Sequence, residues 1–380
     1  MLLIYLKIVE MKIPFKVSLL FLISISICAG KYYDEEIRMQ NTVMSPFSLS
    51  VNLIALYFAG DERVRARIKR FLHLNGTNDE IGQRVRNALN RFQQKSAVKF
   101  LMLSNIYVSS RFPVSASYDS LIHKYLNMRA LNINFSQHGE ISKTINRWIN
   151  QCTGKNIFVP VERPSDNTAF LMPNFIHIEA DFRYPLSSLI LQGTFLNDGI
   201  SKRTITMMRN RHLRLKYNMI PELEAEVIEM PFSNSTISMM IVLPKNPQEL
   251  PQLQRRLRDF NTFHLHKQLE FHYIDVSLPI INEFYTNYLE DHLINRRMYS
   301  IFGVGTFSKI AKHGSKIYLD GLVQTVSFKM NEEGIAPRSN LNRRTELNDS
   351  VMTLEVNHPF AFYIQDNEFI YMKGYIHKMN

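Results

Sequence analysis

Apolar residues recur at helical spacing between Pro46 and Leu74, with Leu49, Leu53, Leu56 and Tyr57 facing one way, and an Arg-rich stretch from Arg63 to Leu72 follows before Gly76. The pattern predicts two short helices. Asp79–Gln94 reads as a further amphipathic helix, after which the period changes. Lys99–Ser109 holds the continuous apolar run Phe100-Leu-Met-Leu expected of a buried strand. Ile141, Ile145, Trp148, Ile149 and Cys152 fall on one face of a helix that stops at Gly154, which places Cys152 in a buried stripe as a small, inert hydrophobe. Beyond Gly154 the pattern turns to strands: Val227–Phe232, Ser238–Leu243, Ile274–Pro279, Val323–Met330, Val351–Val356, Phe360–Gln365 and Phe369–Ile376. No repeat or Pro-rich linker interrupts them, so one mixed α+β domain over residues 31–380 is the economical reading.

The first thirty residues follow a different pattern. Lys12 and Lys16 precede an apolar run from Val17 to Ile27 and the small residues Ala29 and Gly30, which is the layout of a secretory signal. Residues 1–30 are therefore expected to be removed, and residues 1–10 form an upstream extension if translation starts at Met1 rather than Met11. The run is too short to span a bilayer, so no membrane association is expected and the protein is read as secreted and extracellular. Loss of Cys28 would leave Cys152 as the only thiol, which excludes an intramolecular disulfide. The sequons at Asn75, Asn134, Asn234 and Asn348 fit an exported glycoprotein.

The formal net charge is +11, and +9 without residues 1–30, which carry Lys7, Lys12 and Lys16 against Glu10. The cations sit on helix-like stretches without interleaved aromatics, which argues against a nucleic-acid module. The charge should favour polyanionic surfaces modestly. Catalytic signatures are absent: there is no G-x-S-x-G, H-E-x-x-H, P-loop or paired CxxC, and Gly303-Val-Gly305 lacks the third glycine of a pyrophosphate cradle. His264, His266 and His272 share loose strand-like spacing but lack a fourth ligand. No metal, cofactor or enzymatic activity is expected.

Four segments in order resemble the serpin superfamily. They are Asn41-Thr-Val-Met-Ser-Pro-Phe-Ser48; Asn146-Arg-Trp-Ile; Leu171-Met-Pro-Asn174-Phe-Ile with Phe182-Arg-Tyr-Pro185-Leu; and Val227-Ile-Glu-Met-Pro-Phe-Ser with Met239-Met-Ile-Val-Leu-Pro244. The C-terminal match is the strongest, with Val326-Ser-Phe-Lys-Met-Asn-Glu332-Glu333-Gly334, a variable stretch, and Asn357-His-Pro359-Phe360-Ala-Phe-Tyr-Ile. The resemblance implies a serpin fold of three β-sheets and about nine helices, with a first helix truncated to Lys31–Gln40. It also implies a reactive loop at about 332–356, held out as bait for an extracellular serine protease. Such a loop, once cut, inserts into the main sheet as a strand and carries the acylated protease with it. The short, divergent form resembles serpins of insect body fluids, and a monomer is expected; by the same resemblance the basic helices, Arg63, Arg65, Arg67 and Lys69 with Arg84 and Arg91, are a candidate glycosaminoglycan site.

By the same resemblance Glu332, Glu333, Gly334, Ile335, Ala336 and Pro337 form the hinge, and Asn348-Asp349 is the reactive bond by the family's usual loop length. The dibasic Arg343-Arg344 is the alternative cleavage site, from which too little loop remains for full insertion. Ser45, Ser48, Asn174 and Gln324 correspond to the polar cluster that controls sheet opening. Here Gln324 stands for the usual His, and Phe182 replaces a usual Trp. Ile335, Pro337 and Arg338 depart from the small residues that insertion favours. Proline removes one ladder hydrogen bond, at a cost of about 1–3 kcal/mol, and overpacking by Ile335 would add ~1–3 kcal/mol. Two readings therefore remain, a serine-type endopeptidase inhibitor and a non-inhibitory binding or carrier scaffold.

Overall fold

Ser45 opens the first helix, α1 (Pro46–Ala59): its side chain accepts the Ser48 N–H at 3.1 Å, and Pro46 supplies the fixed φ of a first helical position. Every residue of α1 is buried, so this helix runs through the core. Asp61 caps α2 (Glu62–Phe71) by accepting the Val64 N–H at 2.9 Å. The remaining helices are α3 (Asn78–Gln93), α4 (Ala116–Leu126), α5 (Glu140–Thr153), α6 (Leu250–Asp259), α7 (Leu265–Gln268) and α8 (Leu289–Asn295). The computed structural model describes residues 40–93, 98–136, 139–154, 157–159, 164–186, 189–295, 298–302, 306–335 and 352–380. The signal segment, Cys28, most of Lys31–Gln40, Gly303-Val-Gly305 and residues 336–351 lie outside them.

The strands are β1 (Thr42–Met44), β2 (Lys99–Ser104), β3 (Ile106–Ser109), β4 (Ala130–Ile133), β5 (Phe170–Asp181), β6 (Leu189–Asn197), β7 (Ser201–Ile220), β8 (Ala225–Pro231), β9 (Ser238–Pro244), β10 (Glu270–Pro279), β11 (Ile281–Tyr288), β12 (Leu319–Asn331), β13 (Gly334–Ile335), β14 (Thr353–Glu355), β15 (Phe360–Gln365) and β16 (Ile370–Ile376). They form two hydrogen-bonded networks. The smaller runs β11-β12-β13-β5-β3-β4, with β2 also on β5. The larger runs β1-β16-β15-β9-β8-β7-β10-β14, with β6 on β7. Two of the three sheets implied by the resemblance are joined in this larger network, because β7 continues unbroken for 20 residues from its pairing with β6 and β10 into its pairing with β8.

The unbroken apolar runs in the second half of the chain have a direct cause. In β9, Met239, Ile241 and Leu243 enter the main core, while Met240 and Val242 enter a second core under α6 and α7. β15 divides Phe360, Phe362 and Ile364 from Ala361 and Tyr363 in the same way. A strand covered on both faces keeps no polar side. The smaller sheet lies with Met172, Ile176, Leu322, Val326 and Phe328 in the main core, and α5 crosses its other face with Ile141, Ile145 and Ile149 on Tyr107 and Phe175.

Cys152 departs from the expected burial: the thiol is exposed. The spacing gave the right face of α5, but the last turn overhangs an open pocket of about 340 Å³ lined by Phe100, Leu101, Leu103, Leu126 and His177. Partial burial still pushes the thiol pKa up. Native protein should therefore label at Cys152 with a maleimide without denaturant, about tenfold faster per pH unit between 7 and 8 as the thiolate fraction grows. Peptide mass mapping reads this, and labelling only after unfolding would contradict the exposure.

Candidate functional site

The smaller sheet carries a row of buried polar side chains at one level. Ser104 pairs with Asn174, Asn174 with Gln324, and Gln324 with Asn287 in register across β2, β5, β12 and β11. All four are under one-tenth exposed. Each reaches α1 or the strand before it. Ser104 donates to Asn52 Oδ1 at 2.8 Å, Ser48 donates to Asn174 Oδ1 at 2.8 Å, and Asn287 donates to the Val43 carbonyl at 2.8 Å. Gln324 makes a two-way contact with the Ser45 backbone, accepting its N–H at 2.7 Å and donating to its carbonyl at 3.2 Å. A primary amide offers both a donor and an acceptor at one tip, so Gln324 serves this backbone unit without a change of protonation. The structure thus brings Ser45, Ser48, Asn174 and Gln324 together, and adds Ser104, Asn52 and Asn287. Sequence reading missed these three because they are ordinary polar residues until the register aligns them.

Above this row the sheet parts. β5 and β12 pair in parallel from Phe170/Leu319 up to His177/Ser327, and beyond that point β13 enters between them, antiparallel to both. Gly334 pairs with Asn331 and Asp181, and Ile335 with Met330 and Ala180. The turn that leads into β13 is closed by Asn331, whose Oδ1 accepts the N–H groups of Glu333 at 3.1 Å and Gly334 at 3.3 Å. The carbonyls of Glu333 and Glu332 in turn accept from the backbone of Phe182 and Leu186. Gly334 has φ +153°, and a side chain there would run into the Ala180 carbonyl oxygen, so glycine is required by both backbone and space.

Ile335 is fully buried in the main core. The expected overpacking penalty is corrected: the site already accommodates this side chain, since β5 and β12 have diverged at its level. Phe182, which stands where the resemblance has a usual Trp, stacks on Phe232 with ring centroids 5.7 Å apart and closes the core beside β13. Three carboxylates, Glu332, Glu333 and Asp181, gather at the rim. Partial burial, with the charges of Glu332 and Asp181 nearby, pushes the Glu333 carboxyl above its usual range. Ala336, Pro337, Arg338, Arg343, Arg344, Asn348 and Asp349 lie outside the described residues. At the far end of that segment, β14 pairs in parallel with β10, Thr353 opposite Asp275 and Glu355 opposite Ser277.

The other sequence candidates disperse. His264 lies in a 3-10 turn and His266 in α7, not on a strand; His266 pairs with Glu229 at 3.2 Å, and His272 stands edge-on to Tyr217. Among the described residues no three potential ligands converge on a metal position. Among the helical cations Arg65, Arg84 and Arg91 are engaged within the chain. Arg65 lies over the Tyr57 ring at 4.4 Å and donates to Asn78, Arg84 donates to the Glu80 carbonyl, and Arg91 pairs with Glu368. Asn75, Asn134 and Asn234 are exposed, and Asn348 lies outside the described residues.

The chain matches the family model for serpin (serine protease inhibitor) over residues 29–378. Alaserpin of Manduca sexta is 26% identical over 306 residues, covering 78% of this chain and 76% of that protein. Among solved structures, Serpin48, described as a highly specific serpin of the insect Tenebrio molitor, superposes with a TM-score of 0.84 at 20% identity, covering 97% of this chain and all of that one. Human thyroxine-binding globulin superposes with the same score, 0.84, at 17% identity, covering 95% and 99% of the two chains.

Proposed function

The chain belongs to the serpin family, and from that premise we propose that it is a secreted inhibitor of an extracellular serine endopeptidase that works by cleavage and insertion of its loop. In this reading the peptidase serine attacks the carbonyl of Asn348, the Asn348–Asp349 bond breaks, and the amino group of Asp349 leaves. The segment from Ala336 to Asn348 then extends β13 down between β5 and β12. The acyl-enzyme is dragged with it before water can hydrolyse the ester.

One observation carries the proposal: Gly334 and Ile335 are paired antiparallel to β12 on one side and β5 on the other. Nucleating a new strand is the slow part of insertion, because ordering precedes the reward of a ladder. Here the first ladder positions are in place before any cut.

The test is incubation of the purified protein with serine peptidases chosen because they cleave a synthetic peptide of residues 342–355 after Asn348, read by denaturing gel electrophoresis. A 1:1 complex that resists denaturant, with the acyl bond mapped to Asn348, is expected from at least one of them. Cleavage at that bond by these peptidases with no complex in any case would overturn inhibition. It would favour the second reading, a non-inhibitory binding scaffold, which Pro337 and Arg338 support because neither suits a strand inside a packed sheet.

A further inference from the structure

The turn between β6 and β7 is fastened to the end of the chain. Asn197 and Ser201 close a tight hairpin in which Asp198 has φ +54° and Gly199 φ +74°. The Asp198 N–H donates to the His377 carbonyl at 2.8 Å. Asn197 makes a two-way contact with Met379, donating to its carbonyl at 3.1 Å and accepting its N–H at 2.8 Å. Asn41 holds the same residues, accepting the N–H groups of His377 at 2.7 Å and Lys378 at 2.9 Å and donating to the Lys378 carbonyl at 2.7 Å. One residue back along β6, the Leu196 N–H donates to the carbonyl of Asn357, on the connector between β14 and β15. Hairpin, C-terminal residues and connector thus form one clasp. The connector follows β14 directly, so the clasp also steadies the far end of the loop.

The ring of His377 is fully buried inside this clasp. Gln254 of α6 brings its amide Nε2 to 3.5 Å from the ring Nε2, and the ring Nδ1 has no hydrogen-bond partner among the described residues. A neutral imidazole can accept from that amide, whereas a proton on Nε2 would set two donors face to face. The charged groups that act on the ring are Asp198 from the hairpin and Lys378 from its own segment, and these two pair with each other at 3.1 Å. From α6 the facing group is the uncharged Gln254. Burial outweighs the attraction of Asp198 and, with the Lys378 ammonium close by, lowers the ring pKa to about 4. His358, the other buried imidazole at this end, donates to or accepts from different groups, lying 2.9 Å from the Pro244 carbonyl and facing Glu226.

We propose that His377 is an acid-sensitive pin: once its buried ring takes up a proton, the C-terminal residues part from the β6–β7 hairpin while the rest of the fold holds. The direction follows from where the proton is easier to place. An exposed histidine titrates near 6.5, well above the buried ring, so acid favours the open clasp. The clasp holds in full above about pH 6.5 and weakens as pH falls from there toward 4. The inference stands independently of whether the loop inhibits a peptidase.

The experiment is hydrogen–deuterium exchange on the full-length protein at pH 7.5 and 5.0, corrected for the pH dependence of intrinsic exchange. Protection of peptides spanning 194–202 and 374–380 should fall about 30-fold between the two, the ratio for a ring titrating at about 4 when closed and near 6.5 when open. A peptide spanning 323–330, in β12, should change less than threefold. His377→Gln should cut the 30-fold fall to less than threefold, even where its protection at pH 7.5 is already lower. If that variant does not fold, His377→Phe, which keeps a ring and cannot titrate, carries the same expectation, and the comparison of peptides in the unaltered protein needs neither. A fall spread evenly over the chain, an undiminished fall in a folded His377 variant, or its disappearance in His358→Gln alone overturns the proposal.

Discussion

Cutting the loop at Asn348 raises the thermal midpoint of the protein by roughly 20–30 °C if the released segment extends β13. The segment from Ala336 to Asn348 supplies about a dozen residues. At about 1 kcal/mol per new ladder bond, with a similar total from alternate side chains entering the core, the cleaved form gains about 15–25 kcal/mol, less ~1–3 kcal/mol for the missing N–H of Pro337. For a folded chain of this size each 1 kcal/mol moves the midpoint by about 1.4 °C. Calorimetry before and after limited proteolysis, with the cut mapped by mass spectrometry, measures it. A midpoint that stays put after a cut at Asn348 would show that strand growth stops at Ile335, and the scaffold reading would replace inhibition. The same measurement after a cut at Arg343-Arg344 should give a smaller rise, because less strand is available.

Gln324→Leu destabilises the native protein by about 1–3 kcal/mol. The substitution is close to isosteric, so packing changes little, but it removes both side-chain contacts with the Ser45 backbone; the carbonyl keeps the Leu49 N–H at 3.1 Å, so the buried Ser45 N–H is the group left without a partner. A buried group left without a partner costs about 1–3 kcal/mol. Chemical denaturation reads the loss, and Gln324→His, whose ring nitrogen can accept the Ser45 N–H, should recover most of it. The variant should also bind a synthetic peptide of residues 336–347 faster, since the contact spans β12 and α1 and resists their separation. A Leu variant with unchanged stability would mean that water replaces both contacts and that the polar row does not brace the sheet.

Much of the architecture was legible where chemistry is local. Helix α1 announced itself by Ser45-Pro46 and its apolar spacing, and β15 was bounded correctly at Phe360–Gln365. β9 was recognised one residue short and β12 five residues short. β6 and β7 were not recognised, although β7 is the longest strand in the described residues. Its alternation breaks at His212 and its outward face is Arg and Lys, so neither a clean period of two nor an apolar run survives to be read. Cys152 shows the complementary failure: helical spacing gives a direction, but burial depends on whether another element covers the surface in that direction.

The sequence by itself determined the family, the start of α1 at Pro46 and the glycine at position 334, because caps, turns and motifs act over a few neighbours. The tertiary structure alone decided three things. Register across four strands turned Ser104, Asn174, Gln324 and Asn287 into one polar row tied to α1. Divergence of β5 from β12 made room for Ile335, which sequence reasoning had counted as an obstacle. Attachment of the C-terminal residues to the β6–β7 hairpin buried His377. Each depends on pairing between segments tens to hundreds of residues apart, and a single residue of register moves every side chain to the opposite face.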